Sequence, residues 1–356
     1  MNVIDKRPGE KLLHDLLPYT HYEENTGLLW LKDGSATQTF AVTPRNCMSF
    51  TDDDFEVLRS GLLSVLGQVP EGTLIQFYLS REKTNSATDQ ASQNWIKTHL
   101  EKENLDNYHS KNLFDAKLSE LKKLWTEQLL FQTKIYVSVR VSPYERTSTG
   151  GQLGPFSHLI FHRNQKGKLK NSHQIQDETE QTCSAIKLGL DGIGFETHDV
   201  SKSELLSVLF HFLNPDRNEN TAIIEKSNQF LSEALALSEL VEARNGLKLG
   251  RTEIKVGTLK TLPESSFPCL MNRLATLDKS FSMVMTILVL PQTAERERLS
   301  RKQRLAQGMA SGNNVRNLYA ENQLQDIEDT LGAMISSGDK LLAASFHLIT
   351  CELEAA

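Results

Sequence analysis

Apolar and polar positions along the chain follow two periods, one suited to strands and one to helices. Gly27-Leu28-Leu29-Trp30-Leu31-Lys32 and the run Thr37–Thr43 are strand-like and flank Asp33-Gly34-Ser35. Asp-Gly in that place predicts a hairpin, because glycine accepts the positive φ of a tight turn. Phe55, Leu58, Leu62, Leu63, Val65 and Leu66 then recur at helical spacing. The acidic Thr51-Asp52-Asp53-Asp54 suits a helix N-terminus, and Gly67 with Pro70 supplies the stop. Pro70-Glu71-Gly72 turns the chain into a strand over Thr73–Leu79. A polar and charged stretch follows as far as Phe131, and its second half (Leu113, Leu118, Leu121, Leu124, Trp125, Leu129) has helical spacing. Lys134–Val141 closes it as another strand.

The same order returns near the C-terminus. Leu247–Leu262, with Gly250 and Gly257, reads as a second hairpin, and Pro263-Glu264-Ser265-Ser266 opens a short helix through Leu270, Leu274 and Leu277. Ser282–Leu290 is a strand ended by Pro291. Thr293 to Ile335 is a long charged helical stretch interrupted between Gly308 and Asn314, and Leu342–Leu353 is the closing strand. The pattern predicts an α+β fold of two ferredoxin-like antiparallel-sheet lobes, related by an internal repeat, each with a helical insertion before its last strand. In each lobe the last two strands should be antiparallel neighbours. On the final strand the inward set is Phe346, Leu348 and Thr350, or else Ser345, His347 and Ile349, and the apolar content favours the first.

The expected organisation is a first α+β lobe over 1–142, a loop and helical connector over 143–246, and a second α+β lobe over 247–356. Within the connector, 142–172 is rich in Gly, Ser and Thr and reads as a surface loop around a short strand, Leu159-Ile160-Phe161. Helices are expected at Gln174–Leu188, at Lys202–Leu213 ahead of Asn214-Pro215, and at Thr221–Ala243.

Composition narrows the function. The chain has 356 residues, 39% hydrophobic and 24% charged, which suits two or three compact units and excludes disorder as its main state. Its net charge of -6 would repel a phosphate backbone, so direct nucleic-acid binding is not expected. Cys47, Cys183, Cys269 and Cys351 lack CxxC spacing, the usage of a reducing compartment. The N-terminus has no apolar core and small-residue site of the signal-peptide kind. The most apolar run, Met283–Leu290, is far shorter than the ~20 residues of a spanning helix.

Several chemical motifs are missing. No G-x-x-x-x-G-K-[ST] string occurs to cradle phosphates, Asp191-Gly192-Ile193-Gly194-Phe195 lacks the third glycine of a dinucleotide loop, and no G-x-S-x-G marks a serine nucleophile. His158 and His162 stand four apart without the glutamate of a zinc-protease motif or a third ligand nearby, and read as an exposed pair. His198-Asp199 reads as a loop pair and His211 as a core-edge histidine. No catalytic, cofactor or metal residue is assigned. The one candidate binding feature is the run Arg296, Arg298, Arg301, Lys302 and Arg304, mixed with Glu295 and Glu297. It is either a solvated helix face with salt-bridge partners or an electrostatic contact for an acidic partner or for anionic lipid headgroups.

Tyr22-Glu23-Glu24-Asn25-Thr26-Gly27-Leu28-Leu29, Lys32-Asp33-Gly34-Ser35, Phe40-Ala41-Val42-Thr43-Pro44 and Val69-Pro70-Glu71-Gly72-Thr73 with Gln76-Phe77 together carry a resemblance. So do Leu62–Leu66, the helix Leu206–Phe212 ending in Leu213-Asn214-Pro215, and Val256–Leu262 with Pro263. They resemble the N-terminal region of the TraC/VirB-type ATPases of conjugative type IV secretion systems. The resemblance implies a docking domain at the cytoplasmic face of the inner membrane, peripheral to it through other secretion components. It also implies a C-terminal RecA-like motor that hydrolyses ATP with Mg. This chain carries no Walker A or Walker B string, so no cofactor is expected in it, and it reads either as a fragment that precedes the motor or as a stand-alone copy without one, the closing helix and strand favouring the fragment. Set against a non-catalytic docking and assembly role in conjugation and pilus biogenesis are a stand-alone enzyme with a dispersed site and an unrelated α+β scaffold.

Overall fold

A computed structural model describes residues 12–45, 47, 49–83, 119, 123, 131–143, 170–217, 229–243, 246–261, 274, 277–311, 318–336 and 338–353. Eleven strands form one antiparallel sheet: β1 (Tyr19–Glu23), β2 (Leu28–Leu31), β3 (Ala36–Thr43), β4 (Leu74–Lys83), β5 (Phe131–Val141), β6 (Glu196–Asp199), β7 (Leu240–Ala243), β8 (Gly246–Leu249), β9 (Thr252–Thr258), β10 (Phe281–Val289) and β11 (Leu342–Leu353). Their order is β1-β2-β3-β5-β4-β10-β11-β9-β8-β7, and β6 pairs with β3. The described helices are α1 (Leu13–Leu16), α2 (Asp52–Gln68), α3 (Ser172–Gly192), α4 (Lys202–Leu213), α5 (Leu231–Leu235), α6 (Gln292–Ser311) and α7 (Leu318–Ser336). The class is α+β, as the patterning predicts.

From its centre outward the sheet order reads alike in both directions. On one side β4, β5, β3 and β2 follow one another, and on the other β10, β11, β9 and β8. The last two strands of each half are antiparallel neighbours, Phe77 opposite Val137 and Met285 opposite Phe346. The halves join edge to edge through β4 and β10, from Phe281 opposite Arg81 to Leu288 opposite Leu74.

Local chemistry explains the element ends. Gly27 and Gly34 take φ of 70° and 82° in the turns flanking β2. Thr51 caps α2, its amide donating to Asp54 Oδ2 at 2.8 Å while its hydroxyl accepts from the Asp54 amide. Asn171 and Gln174 form the same reciprocal pair on α3, and Ser201 caps α4. Asn214, fully buried, ends α4: its amide donates to Phe210 O and Leu235 O, and its Oδ1 accepts from the Leu237 and Ser238 amides. One side chain thus satisfies backbone groups that burial would otherwise leave unpaired.

Strand alternation sends β2 to two cores. Leu28 packs with Ala36 and Ile175 of α3, whereas Leu29 and Leu31 meet Leu206, Phe210 and Leu213 of α4 and Leu231 and Leu235 of α5. The main core places Cys183, Ile186 and Leu190 of α3 and Leu62, Val65 and Leu66 of α2 over Phe40, Val137, Val139 and Ile75. Fully burying a side chain such as Phe40 contributes about 1.5–3 kcal/mol. Pairing aligns Phe40, Val137, Phe77, Met285 and Phe346 in one row across five strands. Phe346 and Leu348 thus share the face of the main core, although every position from Ser345 to Thr350 is only half-buried.

Two expectations are corrected. Leu240–Ala243 is not helical but strand β7, paired with β8, and among the described residues of the stretch expected to be helix, 229–243, only Leu231–Leu235 is helical. His198-Asp199 lies not in a loop but in β6, with Ala41 opposite His198 and Lys187 Nζ 2.5 Å from the Asp199 carboxylate. Both strands are four residues long, too short for a period, and their pairing partners make them. The expected helices between Ser80 and Phe131 and after Pro263, and the strand Leu159–Phe161, fall largely or wholly outside the described residues.

Candidate functional site

Helices α6 and α7 form a hairpin inserted between the neighbouring strands β10 and β11, and among the described elements each packs chiefly on the other. Its root is clamped by Gln292, which is buried. Gln292 Nε2 donates to Leu290 O at 2.7 Å and to Leu341 O at 3.0 Å, and its Oε1 accepts from the Leu341 amide at 2.8 Å. A single side chain ties the strand leaving the sheet to the strand re-entering it.

The seam is narrow. Along the seam α6 sets Gln292, Glu295, Leu299, Gln303, Ala306 and Ala310, and α7 sets Ala320, Leu324, Ile327, Leu331 and Met334, all of them buried or half-buried. Steps of three and four are those of a two-stranded coiled coil. Gln303 Nε2 donates to Glu328 Oε1 at 3.2 Å and fixes the register of the pair. Most other described positions of the two helices are exposed, although Ala294, Ser300, Glu321, Thr330 and Ala333 are half-buried.

All five predicted cations lie on α6 and are exposed, but they do not form one patch. At about 100° per residue, Arg298 and Lys302 fall on one flank of the seam, Arg296 and Arg304 on the other, and Arg301 on the outer ridge. Arg298 is held by Glu295 at 2.7 Å. Arg301 Nε donates back to Glu297 O at 3.4 Å. Arg296, Lys302 and Arg304 have no ion-pair partner among the described residues, which leaves their charge available to another molecule. Helix α6 runs through Gly308 to Ser311, beyond the glycine expected to end it.

The sequence reading missed the counterpart of this run. Helix α7 carries Glu321, Asp326, Glu328 and Asp329 and no Lys or Arg, against five cations and two glutamates on α6. A carboxylate run following a basic run across a break was the legible signal. The Gln292 clamp had no such signal, since its two carbonyl partners come from different strands.

Elsewhere the polar groups are engaged structurally. The Asp33 carboxylate meets the Arg140 guanidinium, and Arg140 Nε also donates to Ser35 Oγ at 2.9 Å. Burial works to raise the Asp33 acid, but Arg140 and the Ser35 hydroxyl and amide outweigh it and hold the group below the usual carboxylate range. Burial lifts the Tyr136 hydroxyl well above its ordinary value, reinforced by the charge of Glu204, whose Oε1 accepts a hydrogen bond from that hydroxyl at 3.1 Å. Burial likewise pushes the Cys183 thiol up to about 12, so it is not a nucleophile at neutral pH. A cavity of about 470 Å³ opens beside α2 and α3, lined by Val65, Val69, Thr73, Lys170, Glu178 and Thr182 among others. Its Lys170 and Glu178 are paired with each other at 2.5 Å.

His198 and His211 stand on β6 and α4, and His158 and His162 lie outside the described residues. No group of three metal-ligating side chains occurs among the described residues. No described helix is long and apolar enough to cross a membrane.

In comparison with known proteins, the family model described as TraC protein matches residues 13–351. No curated protein matches the chain.

Proposed function

This chain belongs to the TraC family of conjugative type IV secretion, and from that premise we propose that it is a non-catalytic docking and assembly domain contacting inner-membrane secretion components. The observation that carries this reading is the α6–α7 hairpin, which leaves the sheet between two adjacent strands and holds unpaired cations on its outer surface. None of its residues belongs to the core clusters that α2, α3, α4 and α5 build on the first half of the sheet. It does provide a protruding arm whose charge attracts an acidic partner against a chain of net charge -6.

Arg296, Arg301 and Arg304 are the docking residues, because they occupy one flank and the outer ridge and are not held by carboxylates of their own helix. Contact through exposed cations weakens with salt, since the Debye length is roughly 8 Å at physiological ionic strength. Replacing Arg296, Arg301 and Arg304 by Glu should reduce recovery of inner-membrane secretion proteins in a pull-down at least about tenfold, equal to 1.4 kcal/mol. Circular dichroism should remain unchanged, as exposed charges contribute about 0–1 kcal/mol each to stability. Full recovery by the folded triple variant would return the run to a solvated helix face.

A further inference from the structure

We propose that the cavity between α2 and α3 is a binding site for a small uncharged amphiphile, an apolar body with an amide or hydroxyl head. None of the α6 cations lines it, so it stands apart from docking through that helix.

Its size and lining fit such a ligand. The volume of about 470 Å³ lies in the range of roughly 300–1,000 Å³ usual for small-molecule sites. Val65, Val69, Val141 and Ile186 give it apolar walls, among which stand the neutral polar side chains of Gln68, Thr73, Gln181 and Thr182. Thr73 and Thr182 are only 1% and 6% exposed, and neither hydroxyl has a hydrogen-bond partner among the described residues. Buried hydroxyls are ordinarily paired. With so little of either residue exposed, the cavity is where a partner can reach these two.

The charged lining groups are already engaged. Lys170 Nζ lies 2.5 Å from Glu178 Oε2, and Glu71 has a partner of its own. An anion would find no free cation here and a cation no free carboxylate, so either would leave water uncompensated. A neutral amide or alcohol instead matches hydroxyls and amides that both donate and accept. The walls are also fixed in place. Val65 is pressed against Gly189, where a Cβ would come within 2.7 Å of it, and this holds α2 to α3. The turn from Pro70 to Thr73 is tied to the sheet. The Gly72 amide donates to Val289 O at 2.6 Å, the Val289 amide donates to Thr73 O at 3.0 Å, and Lys340 Nζ donates to Val69 O at 2.8 Å. A site preformed in this way loses little affinity to ordering.

Ligand-observed NMR on the 356-residue chain tests this with three six-carbon probes, hexanamide, hexanoate and hexylammonium. Hexanamide should bind with a dissociation constant on the order of 1 mM, and its charged counterparts at least about tenfold more weakly. Thr182→Val should weaken hexanamide about three- to tenfold. It should not lower the melting temperature, because the hydroxyl it removes bonds nothing in the fold. Ala185→Trp, at an exposed lining position of α3, should abolish binding while circular dichroism stays native. A wild-type chain that does not bind hexanamide, or binds either charged probe as tightly, would overturn the proposal. So would a Thr182→Val chain that melts lower yet binds hexanamide like wild type, or a folded Ala185→Trp chain with undiminished binding.

Discussion

Asp33 does two jobs, of which only one can be read locally. Beside Gly34 it serves the turn between β2 and β3, its Oδ1 accepting from the Ser35 amide at 3.0 Å, and the Asp-Gly dipeptide announces that role. Its other oxygen meets Arg140, far away in sequence on β5, with the two side chains only 8% and 19% exposed. The folded-state acid is held low, so this pair contributes stability above the unfolded value of about 3.9 and loses it as pH falls through the folded value. Asp33→Asn should therefore cost about 3–5 kcal/mol at pH 7, because a buried guanidinium loses its counter-charge. The gap from wild type should narrow below about pH 4, where the carboxyl of the unfolded chain takes up its proton first, and close as the folded one follows at lower pH. Urea titrations at neutral and acid pH check this, and a gap that widens in acid would contradict it.

At the scale of elements, the helices with caps were the most legible. Thr51, Asn171 and Ser201 sit where α2, α3 and α4 begin, and Asn214-Pro215 marks where α4 ends. How the helices approach one another was not legible. A Cβ on Gly189 of α3 would lie 2.7 Å from Val65 Cγ2, and one on Gly61 of α2 would lie 2.4 Å from Ile193 Cγ2. These glycines let the two helices close on each other over the sheet. Gly189→Ala should thus destabilise by about 1–3 kcal/mol through overpacking against a branched side chain, although alanine is the better helix former by about 1 kcal/mol. Gly332→Ala on α7, where an added Cβ meets nothing within 4 Å, should instead be neutral or stabilising. Thermal denaturation of both variants decides the matter, and equal shifts would show that propensity, not contact, governs position 189. The short strands β6 and β7 illustrate the reverse limit. Four residues carry no usable period, and Leu-, Ala- and Glu-rich sequence around 231–243 favours helix until pairing with β8 overrides it.

For the molecule as a whole, the repeated order of hairpin, strand, excursion and strand was written in the chain, and it returns as the matching strand sequence on either side of the β4–β10 joint. The full sequence holds no lysine-bearing phosphate loop. The chain by itself should accordingly show no heat of Mg-ATP binding in calorimetry and no phosphate release above background, whereas micromolar binding would revive an enzymatic reading. Hydrophobic period, caps and turn residues act over a few neighbours, so the sequence by itself determined the α+β class, most element positions and the existence of a basic run at 296–304. What joined the halves was decided only in three dimensions, because an edge strand carries the same unpaired backbone groups whichever strand it meets. So β4 against β10, the Gln292 clamp and the Asp33–Arg140 pair needed the tertiary structure. The division of the five cations between two flanks needed it as well. A helix sorts its side chains by angle, but which angle faces inward is set by the partner it packs against, here the acidic helix α7.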